Sequence, residues 1–95
     1  MLDKPFLVYV SRRGGETFLF VYDREVVEKP GTRFHRARVN AECTEGELKE
    51  LLRDSISVNF FGNRAVKTAI KLGYVHPEGT SEVDGVLCAI YIKIR

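Results

Sequence analysis

A chain of 95 residues with 44% apolar and 29% charged side chains has the make-up of one soluble globular domain, long enough to bury a core. A net charge of +2 neither demands nor excludes a nucleic-acid partner, so the distribution of charge matters more than its total. No apolar run approaches the roughly 18 residues of a membrane span and no signal peptide is seen, so no membrane partner is expected and a cytoplasmic location is the default.

In chain order, Pro5 to Ser11 reads as a strand rich in β-formers, and Thr17 to Tyr22 as a second. Gly14-Gly15 between them is a hairpin signal, because both positions can take positive φ. Pairing Arg13 with Glu16 sets Val10 opposite Leu19 and Val8 opposite Val21. The other face then holds Leu7, Tyr9, Phe18, Phe20 and Tyr22. Arg24 to Glu28 continues or restarts the strand, Lys29-Pro30-Gly31-Thr32 reads as a type II turn, and Arg33 to Asn40 returns as a third strand. That hairpin sets Glu28 against Arg33, Glu25 against Arg36 and Asp23 against Arg38.

Thr44 with Glu47 three residues on has the spacing of a capping box, opening a helix that runs to about Asp54. Ile56, Val58 and Phe60 alternate as in a half-buried strand, and Gly62-Asn63 breaks the pattern. From Arg64 the apolar positions Val66, Ala69, Ile70 and Gly73 follow helical spacing, with Arg64, Lys67 and Lys71 on the opposite face. Tyr74 to Gly85 reads as a loop, with a possible short strand at Tyr74-Val75, and Val86 to Ile94 as a strong final strand. The order is β-β-β-α-β-α-β. It predicts an α/β (α+β) fold: a mixed sheet with two helices on one face, in a single domain over 1–95. Within it, 1–40 form a β-hairpin region and 41–95 an α-β-α-β unit.

Negative charge concentrates in one segment. Residues 41–58 carry two basic and five acidic side chains, whereas 1–40 carry eight and five, and 59–95 five and three. No acid falls between Asp54 and Glu78, so the second helix presents a purely basic face beside a glycine turn. A helix N-terminus with cations beyond it suits a phosphate. The candidate nucleic-acid contacts are therefore Gly62, Asn63, Arg64, Lys67 and Lys71, with Arg12 and Arg13 at the hairpin tip assisting. The plain alternative is a solvated helix face, which ordinarily mixes both signs.

A second candidate surface is the sheet itself, with Tyr9, Phe18, Phe20 and Tyr22 beside Arg12, Arg13, Arg36 and Arg38. Aromatic rings interleaved with cations bind single strands. Because one face must pack on the helices, Phe18 and Phe20 are read as core.

Enzymatic readings are weak. His35 and His76 are assigned to a strand and a loop, and neither is tied to Cys43 or Cys88. The acids of the first helix suit its N-terminus, and no phosphate or dinucleotide fingerprint is present. The two cysteines lack metal-ligand spacing and are expected as unpaired thiols, with no metal and no cofactor. Catalytic residues are expected to be none. A protein-interaction module is the alternative function and a small nuclease the third.

The run Ile56-Ser-Val-Asn-Phe-Phe-Gly-Asn-Arg-Ala-Val-Lys-Thr-Ala-Ile, with the final strand Val86–Ile94, gives residues 38–95 a further feature. They resemble the Alba superfamily, which includes Alba and the stage V sporulation protein S. The resemblance implies a β-α-β-α-β-β order, a homodimer, DNA or RNA as partner, and nucleic-acid contact at Gly62, Asn63 and Arg64.

Overall fold

The computed structural model describes residues 4–94. Six strands form one mixed sheet: β1 (Phe6–Arg13), β2 (Glu16–Asp23), β3 (Ala41–Cys43), β4 (Ser55–Phe61), β5 (Thr80–Val83) and β6 (Val86–Ile92). Their order across the sheet is β3-β1-β2-β4-β6-β5. Helices α2 (Glu45–Asp54) and α3 (Asn63–Lys71) cover one face, and a five-residue helix α1 (Arg24–Glu28) follows β2. The fold is thus mixed α/β with two main helices, as the alternation of patterns indicates. The hairpin of β1 and β2 is central rather than appended, because β2 runs parallel to β4. From β3 onward the element order is β-α-β-α-β-β, with β1 and β2 inserted between β3 and β4 in the sheet.

The hairpin register is the expected one: Val8 faces Val21, Val10 faces Leu19, and Arg13 faces Glu16. Gly14 and Gly15 turn it at φ 57° and 78°, a conformation that side chains with a Cβ resist. The aliphatic face packs under the helices. Phe6, Val8, Leu19, Val21, Val58 and Phe60 meet Leu48, Leu52, Ala65, Val66 and Ala69 there. The Thr44 capping box forms in full, fixing where α2 begins.

The third strand is absent where it was expected. Arg24–Glu28 is helical, and 33–40 is a run of turns and extended chain. Tertiary contacts decide the conformation of a segment this short. The Val27 carbonyl accepts the Arg36 N–H, and the Arg24 N–H binds the Pro5 carbonyl. The three cross-strand ion pairs do not form in consequence. Arg24 binds Glu28 and Glu42, Arg33 binds Asp84, and Arg38 lies over Tyr9. The strand that does pair with β1 is the short β3, preceded by Asn40, whose side-chain amide bonds both the N–H and the C=O of Val10. In the final loop the short strand is Thr80–Val83, not Tyr74-Val75.

A second correction concerns Phe18 and Phe20. Helices bury the aliphatic face, so both rings sit half-buried on the opposite one. That face forms three rows across β1, β2, β4 and β6. The first, Leu7, Tyr22, Phe61 and Cys88, is covered in part by Val27 and Phe34 from the segment after β2. The second is Tyr9, Phe20, Asn59 and Ile90, and the third is Ser11, Phe18, Ser57 and Ile92.

Candidate functional site

Gly62 ends β4 and caps α3 at φ 116°. A Cβ there would collide with the Asp23 carboxyl group. That carboxylate accepts the N–H groups of Arg64 at 2.8 Å and Ala65 at 2.7 Å. The anion seat at the helix N-terminus is therefore filled from within the chain, by the last residue of β2. Asp23 also stands at the N-cap position of α1, yet gives that helix no side-chain bond. Burial raises its carboxyl above the ordinary value, against the pull of the two amides. The glycine turn is consequently a joint between two strand ends, not an open cradle for a phosphate.

The basic face of α3 forms as expected, with Arg64, Lys67 and Lys71 exposed and Ala65, Val66, Thr68 and Ala69 buried. In space it is not purely basic. A shallow groove of 330 Å³ is lined by Asn63, Arg64, Lys67 and Lys71 together with Glu25 and Glu45. Lys71 Nζ lies 2.6 Å from Glu45, and that contact holds the Glu45 carboxyl below its usual range. The acids come from α1 and α2, which sequence proximity could not reveal.

The structure also separates Arg12 and Arg13 from this groove. The hairpin tip lies at the end of β2 remote from Asp23, about 20 Å along the strand at roughly 3.3 Å per residue. The two arginines divide between the faces as well. Arg12 bonds the Thr17 hydroxyl at 2.9 Å, whereas Arg13 lines the open face with Ser11.

On that open face the structure brings together a set that no single sequence stretch contains. Tyr9, Ser11, Arg13, Phe18, Phe20 and Arg38 line a groove of 410 Å³. The guanidinium of Arg38 sits 5.2 Å from the centre of the Tyr9 ring, a cation–π distance. Tyr9 and Phe20 lie 6.1 Å apart, centre to centre, at a 43° tilt. Arg38 is thus freed from its expected partner Asp23 and applied to an aromatic surface.

Chemistry of other kinds finds little footing. Cys43 and Cys88 are unpaired and buried, and desolvation pushes the Cys43 thiol up to about 11. His35 Nδ1 bonds the Val27 carbonyl, and His76 Nδ1 accepts the Glu78 N–H. Among the described residues no group of three or more His, Cys, Asp or Glu could hold a metal ion. Among them too, no helix is long and apolar enough to cross a membrane.

Fold and site together define a small α/β protein with an open sheet face of half-buried aromatic rings and exposed cations. The chain belongs to the family described as "Protein of unknown function (DUF424)", whose model matches residues 32–94. That span takes in Arg38, α2, α3 and the last four strands, and begins after the β1–β2 hairpin. The fold is shared with a solved structure, an uncharacterized conserved protein from Methanopyrus kandleri. The two are 15% identical with a TM-score of 0.71, over 95% of this chain and 93% of that one. Neither description indicates an enzyme. No curated protein matches the chain.

Proposed function

We propose that the protein binds single-stranded nucleic acid, DNA or RNA, on the open face of its sheet. The observation that carries this reading is Arg38 poised over Tyr9 in a groove shared with Phe18, Phe20 and Arg13. Exposed rings on a sheet accept the faces of bases, at about 1–3 kcal/mol per stacked base, and flanking guanidiniums meet the phosphates. Three rings accommodate about two or three bases. A duplex buries the base faces that such a surface engages, so the reading favours single strands.

The resemblance of residues 38–95 to the Alba superfamily points the same way, although through a different surface. The basic face of α3 has a lesser part in this account. Its N-terminal amides are bonded to Asp23, and Lys71 to Glu45. Lys67 and its neighbours add to the field that draws a polyanion toward the molecule.

Fluorescence anisotropy with single- and double-stranded oligonucleotides at two salt concentrations tests the proposal. Single strands should bind more tightly, with affinity falling as salt rises. No binding at low salt, or a preference for duplex, would contradict it.

A further inference from the structure

Between the aromatic groove and the far side of the same sheet face stands Asn59. It is set beside Phe20 of β2 on one side and Ile90 of β6 on the other. It also lines a hollow of 240 Å³ with Phe61, Ser81 and Ile90. The position suits an asparagine poorly. Asparagine is depleted in strands, and both of these cross-strand neighbours are apolar. Its side chain is half-buried, yet among the described residues no hydrogen bond holds the amide. Asn40 shows the contrast, since its amide is taken up by both backbone groups of Val10. A polar group that breaks the local rule without an internal partner marks a ligand contact.

We infer that Asn59 reads the edge of a base stacked beside it and makes this face prefer adenine. The inference rests on the single-strand reading and names the base that the same face selects. A base stacked against Phe20 lies about one strand spacing, roughly 4.8 Å, from Asn59 and so turns an edge to its amide. The amide offers an acceptor oxygen beside a donor nitrogen, and with nothing fixing it, either order can be presented. Its match is an edge that carries a donor next to an acceptor. Adenine presents that pair twice, as N6–H with N7 and as N6–H with N1. Cytosine, guanine and thymine present it on the Watson–Crick edge only. Arg13 and Arg38 meet phosphates, which position a strand without reading its sequence, so the choice of base falls to Asn59.

Anisotropy titrations of the protein with short oligo(dA), oligo(dC) and oligo(dT) strands test it. Oligo(dA) should bind about tenfold more tightly than the other two. Because bases differ in stacking strength, the decisive comparison keeps the purine ring and removes the contact. A strand of purine bases lacking the N6 amino group should bind about tenfold more weakly than oligo(dA). Asn59→Ala should abolish that difference, with an unchanged circular-dichroism spectrum. Equal affinity of the wild type for the two purine strands would overturn the inference, and so would a preference that survives Asn59→Ala. In either case, salt-dependent binding of every strand would leave the single-strand reading standing. Binding of none would end both.

Discussion

The α3 groove and the open sheet face both hold cations, but only on the sheet do aromatic rings line the groove beside them. At α3 the cations share their groove with Glu25 and Glu45, and the helix amides are bonded to Asp23. On the sheet, Arg13 and Arg38 line a groove whose other walls are aromatic rings and a serine. A run of basic residues in sequence therefore says less than the signs of the side chains that the fold sets around it. Arg38 gains its place because Asp23, its expected partner, caps a helix instead.

The comparison breaks most severely at Gly62. Gly62→Ala forces a Cβ onto the Asp23 carboxyl in a left-handed conformation, and should cost about 2–4 kcal/mol of stability in urea unfolding. A neutral substitution would show that the Asp23 cap is not a fixed joint. Next comes the sheet face. Phe18→Ala should weaken single-strand affinity by about 1–3 kcal/mol in anisotropy titrations, with the thermal transition still cooperative. Arg38→Ala should cost about 1 kcal/mol and reduce the slope of log affinity against log salt by about 0.7. Lys67→Ala, on the competing surface, should change affinity by less than about twofold, because an exposed charge at a distance is screened. A larger loss from Lys67→Ala than from Arg38→Ala would reverse the assignment of the two regions.

The Asp23 cap also has a pH signature. Its carboxyl is raised above the ordinary 3.8, so the folded state holds this proton more readily than the unfolded chain does. Its contribution to stability is fully present below that ordinary value and is lost as pH rises through the raised one. Glu42, Glu45, Glu47 and Asp84 act oppositely. They are held low by the Arg24 side chain, the Lys71 side chain, the Thr44 amide and the Arg33 amide respectively. Their contributions are present above their ordinary values and are lost as pH falls. Asp23→Asn removes the carboxyl that, among the described carboxyls with a shift, is the one held above its ordinary value. From pH 7 to about pH 3 the variant should thus lose more thermal stability than the wild type. Parallel losses would contradict the buried carboxylate.

Much of this fold is legible in the sequence because local rules act there without competition. The Gly14-Gly15 hairpin, the Thr44 capping box and the helical spacing from Arg64 each depend on neighbours a few residues away. The segment 24–40 is not legible, because its conformation is set by distant partners: Pro5, Val8 and Val10 for its backbone and Asn40, and Asp84 for Arg33. The site was half legible. Tyr9, Phe18, Phe20, Arg13 and Arg38 can be named from the hairpin alternation and the expected third strand. Which face the helices would cover cannot be read, since both faces of β1 and β2 are apolar. Size gives no clue either, because Phe6 and Phe60 are fully buried on the helix side.

The central claim is that nucleic acid engages the open sheet face. The most direct measurement is an amide and aromatic chemical-shift titration of the labelled protein with a short single-stranded oligonucleotide. The account predicts the largest shifts at Tyr9, Phe18, Phe20, Arg13 and Arg38, with little change at Arg64, Lys67 and Lys71. Shifts centred on α3 with a silent sheet face would contradict it.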